Sequence, residues 1–270
     1  MGGLTFRLKA APGEQLNVSA LTPSKLAQLS QHEIARLHIG TSKQQLTAGD
    51  VFDISGSASD VVTIEPGDVV VDFAGSEMDG GTLIVDGSVG SYAGRKMRGG
   101  KLDIRGNAGN LLASGMSGGM IHVTGSAGDN LGSVIAGDRF GMVGGTVVIG
   151  GDIGARAGDK MRRGTVIVKG KTGQGAGTRM IGGTIWAEGG FGPDPGYMMR
   201  RGTLIGSKVE RLLPTFVDCG RHDLLIVRIV SRHLKTTLGE LAPKPMPLFV
   251  QKIAGDMATI GRGEILLPAG

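Results

Sequence analysis

The chain has 270 residues, 50 of them glycine, with 4% aromatic residues, a single cysteine and a formal charge of +5. The glycines do not fall on every third position, which excludes collagen, and β-branched residues at fixed places between them argue against disorder. A lone Cys219 excludes an intrachain disulfide or a thiolate metal site built by this chain alone, and scarce aromatics argue against nucleic-acid binding despite the basic balance.

The opening stretch MGGLTFRLKAAPGEQ lacks the apolar core of a secretory signal. No apolar run approaches the roughly 18 residues a membrane span needs, so the expectation is a soluble, cytoplasmic protein. Between Leu21 and His38, Thr22-Pro23 and the pair Ser30/Glu33 are helix-start signals, and two short helices are expected. Val61–Ile64 and Val69–Phe73 then read as strands that cap or begin a glycine-rich repeated region.

From Met78 onward a phrase repeats, beginning again at Met97, Met116, Met142, Met161, Met180 and Met199. The spacings are 19, 19, 26, 19, 19 and 19, so one repeat carries seven extra residues, within Asp129 to Phe140, expected to protrude as an isolated loop. Inside each phrase the residues alternate as in a strand. Leu83, Leu102, Ile121, Val147, Val166 and Ile185 point inward, as do Val85, Ile104, Val123, Ile149, Val168 and Ala187 two positions on. The column between them, Ile84, Asp103, His122, Val148, Ile167 and Trp186, faces out. Gly87 and Gly90, with their equivalents down the chain, mark corners.

Three short sides per phrase imply an all-β fold, a right-handed parallel β-helix of 19-residue coils with the starting methionines stacked inside. Left-handed hexapeptide helices advance about 18 residues per coil and do not fit. The expected layout is an N-terminal lead-in and cap over 1–75, the β-helix over 76–206 and a C-terminal cap over 207–270, all in one structural domain. In the last part, Asp223–Leu238 carries Leu224, Val227, Val230, Leu234 and Leu238 at helical spacing, while Phe249–Ile253 and Glu264–Leu267 form a closing strand pair.

Candidate chemistry is sparse, and no catalytic or metal-ligating residue is assigned. Asp103 and His122 fall on adjacent coils, where a cross-coil hydrogen bond outweighs a catalytic pair. His222-Asp223 reads as the start of the last helix, with Asp223 suited to its first turn, and Cys219 reads as a buried structural thiol. The G-x-G strings are corners and not a dinucleotide fingerprint, because no helix comes after them. Val148, Ile167 and Trp186 form an apolar strip on three successive coils, either a partner interface or a surface that a cap segment covers. Lys96, Arg98, Lys160, Arg162, Arg163, Arg179, Arg200 and Arg201 recur at one corner. Solvent and nearby carboxylates screen most of that ladder, and Lys160, Arg162, Arg163 and Arg179 are its candidates for an acidic or anionic partner.

The pattern M-x-G-G-T-x-x-V-x-G-x-x-G resembles the glycine-rich β-helix of the glutamate synthase carboxy-terminal domain and, more closely, that of the C subunit of formylmethanofuran dehydrogenase. The segments LTPSKLAQLSQHEIARLHIG, GDVFDISG and FVDCGRHDLLIVRIVSRHL extend that likeness from about Leu21 to the end. The resemblance implies a noncatalytic subunit. Its partners would be amidohydrolase-like, formyltransferase and molybdopterin-subunit-like chains, which work with a methanofuran-like carrier in the complex; no cofactor is assigned to this chain itself. Modest charge, several glutamines and none of the ion-pair density of a hyperthermophile point to the bacterial formyltransferase/hydrolase branch, which oxidises formaldehyde to formate through tetrahydromethanopterin-linked one-carbon metabolism. With no cysteine cluster, the chain is expected to carry no iron–sulfur cofactor. The alternatives are an archaeal-type C subunit, a glutamate synthase-like β-helix domain and, from another class, a free-standing β-helix enzyme acting on polysaccharide.

Overall fold

The computed structural model describes residues 3–42 and 45–269. Each phrase contributes one short strand, and strands one phrase apart lie side by side: Leu83 pairs with Leu102, Leu102 with Ile121, and Val166 with Ile185, all in parallel. The longer phrase keeps this register, since Ile121 pairs with Val147. Its extra residues are therefore absorbed outside the strands.

Thirteen strands join into one mostly parallel sheet. The order from one edge is Val217–Asp223, Phe249–Gly255, Arg262–Pro268, Arg201–Gly206, Thr184–Ala187, Arg163–Val168, Val143–Ile149, Met120–Val123, Lys101–Ile104, Thr82–Val85, Val61–Glu65, Leu4–Leu8 and Phe52–Ser55. Within this sheet, among the described residues, antiparallel pairs occur only at the two ends, where the chain turns back on itself.

Two further columns stack in step with the sheet. Val71, Val89, Ala108, Ala127, Ile153 and Thr172 form successive parallel bridges. At the corner before Met78, Met97, Met161 and Met180, the amides of Glu77, Lys96, Lys160 and Arg179 donate to carbonyls of the next phrase, those of Arg95, Ser114, Thr178 and Tyr197. These four residues have φ of +61°, +53°, +53° and +50°, a conformation that costs an L-residue about 1–2 kcal/mol. The repeated hydrogen bond holds each of them there.

Between the columns lies an apolar interior. Both inward strand columns and all seven starting methionines are fully buried. A flexible thioether fills an irregular gap with little rotamer strain, which suits a core whose shape is set by stacked backbone. Close stacking also dictates glycine at one point in particular. A Cβ on Gly109 would sit 2.6 Å from the Gly90 carbonyl carbon in the phrase below.

The two ends close the core differently. At the amino end a strand outside the expected elements, Leu4–Leu8, with Leu4, Phe6 and Leu8 alternating against Thr5 and Arg7, lies between Val61–Glu65 and Phe52–Ser55, and Phe6 meets Phe52 edge to face at 6.0 Å. The two expected helices are Pro23–Leu26 and Gln31–Ala35, the second with the Ser30/Glu33 capping box in place. A third, Ala48–Val51, was not expected and starts from a Thr47/Asp50 box. At the carboxy end, Leu225–Leu238 is a helix, and Phe249–Gly255 pairs antiparallel with Arg262–Pro268 as expected.

Candidate functional site

The outward column is where surface chemistry has to sit, and its fate changes along the stack. Ile84, Asp103 and His122 are half-buried, whereas Val148, Ile167 and Trp186 are 0–2% exposed. The C-terminal helix lies over the second group. Its Val227 and Leu234, with Ile205, Ala242, Val250 and Leu266, complete a second apolar cluster on the outer side of the sheet. The expected interface at Val148, Ile167 and Trp186 is therefore corrected: the chain covers that strip itself. The physical reason is that Val227, Val230, Leu234 and Leu238 form an apolar helix face with nothing else to bury against.

A polar strut anchors the far end of that cover. Lys169 Nζ donates to Glu188 Oε1 at 2.8 Å and to the Ala242 carbonyl, and Glu188 also accepts from the Lys244 amide at 3.2 Å. The groove above it, lined by Ser231, Arg232, Lys235 and Lys244 among others, encloses about 850 Å³.

Two further expectations about this region are corrected. His222 and Asp223 belong to the strand Val217–Asp223, not to the helix, whose N-cap is Leu224 with no side-chain cap; Asp223 instead pairs with Arg228 at 3.1 Å. Cys219 is exposed on that same strand and is not a buried thiol, because the strand lies at the sheet edge with none of its seven residues buried.

The basic corner divides into paired and unpaired cations. Arg179 forks onto Asp159, with Nε to Oδ1 at 2.8 Å, and Arg156 adds a bond to the same carboxylate at 3.0 Å. Lys96 reaches Asp138 at 3.2 Å. Asp138 belongs to the seven-residue insertion, and so does Phe140, whose ring lies 5.0 Å from the guanidiniums of both Arg139 and Arg162. The insertion therefore folds back along the corner, tied by charge and cation–π contacts, and is not the isolated protrusion expected. Lys160, Arg162 and Arg163 have no ion-pair partner among the described residues.

Asp159 is the carboxylate that the corner is built around. Burial alone would push its pKa up, but hydrogen bonds and charge from Arg179 and Arg156 outweigh that and hold it below the ordinary aspartate value. A depressed folded value means that this carboxylate stabilises the fold above its unfolded pKa, ~4. That contribution disappears as pH falls through the folded value. We predict that Asp159→Asn costs about 1–3 kcal/mol at neutral pH and flattens the acid limb of a Tm-versus-pH profile between about pH 5 and 2. An unchanged acid limb would remove Asp159 from this role.

Asp103 and His122 do meet. The imidazole Nδ1 lies 2.8 Å from Asp103 Oδ1, and Lys101 Nζ approaches the other carboxylate oxygen at 3.6 Å. The pair spans neighbouring strands in direct register, as a cross-strand tie does. Among the described residues no group of three or more His, Cys, Asp or Glu side chains is arranged to hold a metal ion.

No protein-family model matches the chain. A stretch of 63 residues is 44% identical to the C subunit of the formyltransferase/hydrolase complex Fhc of Methylorubrum extorquens, an alignment that spans 23% of this chain and 24% of that protein. A solved structure extends the likeness: a chain in the X-ray structure of the formyltransferase/hydrolase complex (FhcABCD) from Methylorubrum extorquens, in complex with methylofuran, is 39% identical. It superposes with a TM-score of 0.88 over 98% of this chain and 100% of that one. The chain belongs to the C-subunit family of formyltransferase/hydrolase complexes. The resemblance read from the methionine-led phrases and the flanking segments LTPSKLAQLSQHEIARLHIG, GDVFDISG and FVDCGRHDLLIVRIVSRHL is therefore correct. Among the described residues no helix is long and apolar enough to cross a membrane.

Proposed function

We propose that this chain is the noncatalytic structural subunit of a formyltransferase/hydrolase complex, assembled with amidohydrolase-like, formyltransferase and molybdopterin-subunit-like chains. The observation that carries this reading is the full-length match, at 39% identity, to a chain of such a complex. In this reading the stack is a right-handed parallel β-helix of 19-residue coils over 76–206, closed by caps over 1–75 and 207–270 that belong to one domain. The complex oxidises formaldehyde to formate in tetrahydromethanopterin-linked one-carbon metabolism, in the cytoplasm, with a methanofuran-like carrier moving the formyl group.

Two features support a scaffold over a catalyst. The interior is filled by methionine, leucine, isoleucine and valine side chains that are fully buried. Two acidic groups of the outer wall are spent on neighbours, Asp103 on His122 and Asp159 on Arg179. The unpaired cations Lys160, Arg162 and Arg163 fit an anionic ligand, and in this reading they attract an acidic partner surface or the polyglutamate tail of the carrier, with Arg179 held beside them by Asp159.

Affinity purification of the tagged full-length chain from its source cells tests the assignment. Recovery of the three named kinds of partner supports it, whereas recovery with glutamate synthase components, or alone, overturns it. For the corner, Arg162→Glu with Arg163→Glu should lower retention of the carrier by the purified complex roughly tenfold. Retention equal to the parent complex would take the corner out of the account.

A further inference from the structure

We infer that the outer face of the C-terminal helix, with the edge strand leading into it, docks a second subunit of the complex whose contact surface is apolar at its centre and acidic at its rim. This rests on the reading of the chain as part of a complex and locates the surface that reading requires. The helix is apolar on two sides. Val227 and Leu234 face the sheet, but Leu225, Ile226 and Ile229 are 61%, 57% and 54% exposed. Single exposed aliphatic residues are ordinary on any surface. Three at i, i+1 and i+4 on one helix turn form a patch.

The neighbouring backbone is open too. Val217–Asp223 ends the thirteen-stranded sheet, pairs on one side only, and presents Val217 at 50% exposure. A sheet edge left uncovered offers unpaired amides and carbonyls to another chain. Leu225 and Ile229 share a shallow hollow of about 460 Å³ with Arg228, Arg232 and His233; Arg228 is paired with Asp223, so among the described residues the unpaired guanidinium beside the apolar centre is that of Arg232.

Charge selects the occupant. Arg221 stacks over Phe249 at 4.1 Å, and neither it nor Arg232 forms an ion pair among the described residues. Of the nearby acids, Asp223 is taken by Arg228, and Asp218 accepts from the Gly220 amide and from Gln251. A second copy of this chain would bring the same guanidiniums to face these, an arrangement that like-charge repulsion disfavours. A partner with carboxylates around an apolar centre satisfies both parts of the patch.

The test uses the complex purified through a tag on this chain. Co-purification of the other subunits with the unaltered chain checks the complex reading by itself. Leu225→Glu with Ile229→Glu should leave the melting of the isolated full-length chain unchanged while lowering recovery of partner subunits roughly tenfold or more. Undiminished recovery overturns the inference while leaving the complex reading intact. Cys219, the chain's only cysteine, reports on the same edge. Its maleimide labelling, read by peptide mass spectrometry, should slow roughly tenfold or more in the complex relative to the isolated chain, and equal rates overturn the inference. Should the isolated chain sediment as a dimer that Leu225→Glu dissociates, the face belongs to a second copy and the acidic-rimmed partner is wrong.

Discussion

Replacing Trp186 by alanine is expected to lower the stability of the isolated chain by about 3–5 kcal/mol, whether or not any partner is present. Trp186 is 2% exposed and is flanked in register by Ile167 on one strand and Ile205 on the other. The C-terminal helix lies over all three, so truncation opens a cavity between sheet and helix that neither can close without losing its other contacts. Urea unfolding followed by far-UV circular dichroism measures the loss without needing the tryptophan. An interface residue would behave differently, leaving the free chain as stable as before and weakening only assembly. That outcome would mean that the helix does not cover the strip.

Gly109→Val is expected to cost about 3 kcal/mol or more, at the upper end for overpacking because the neighbour is backbone. The added Cβ meets the carbonyl carbon and oxygen of Gly90 at 2.6 and 2.7 Å and the Ser91 amide nitrogen at 3.0 Å. The Gly109 amide is itself bonded to the Val89 carbonyl at 2.9 Å, so moving away breaks the ladder that holds the two phrases together. The far end of a flexible side chain could yield; a stacked peptide cannot. Gly80→Ala is the matched control, since a Cβ there meets nothing within 4 Å, and its effect should stay within about 0.5 kcal/mol. Equal stability of the two variants, by the same urea titration, would contradict the stacking argument.

Much of this molecule is legible in the order of its residues because one short rule repeats. Alternation within Thr82–Val85 and its equivalents fixes which side chains point into the stack, and the constant spacing brings Leu83 beside Leu102 and Ile121 without any long-range guess. What escapes is whatever happens once. Leu4–Leu8 alternates as a strand should, Leu4, Phe6 and Leu8 against Thr5 and Arg7, but nothing local in LTFRL announces its partners, Val61–Glu65 and Phe52–Ser55. The strand Val217–Asp223 has no alternation, so the solvent exposure of Cys219 could not be read from it.

The apolar strip shows the same limit at the candidate site. Val148, Ile167 and Trp186 were visible as a stripe, and Val227, Val230 and Leu234 as a helix face. Two unsatisfied apolar faces in one chain are each other's most available partner, at a smaller entropic cost than recruiting a separate molecule. The second face of that helix, Leu225, Ile226 and Ile229, stands apart from the first because Val227 and Leu234 are occupied by the sheet. The insertion illustrates a third case: Asp138 and Phe140 find Lys96 and Arg162 across the corner, contacts between residues far apart in sequence.

Turnover of the purified complex carrying Asp103→Asn and His122→Ala in this chain is the most direct test of a scaffold role. These are the residues whose 2.8 Å contact most resembles an acid–base pair. With assembly verified by native mass spectrometry, the account predicts formyl transfer and hydrolysis rates equal to those of the parent complex. A loss of roughly 100-fold or more in an intact complex, the range expected on removing a general acid or base, would contradict it and make this chain part of the active site.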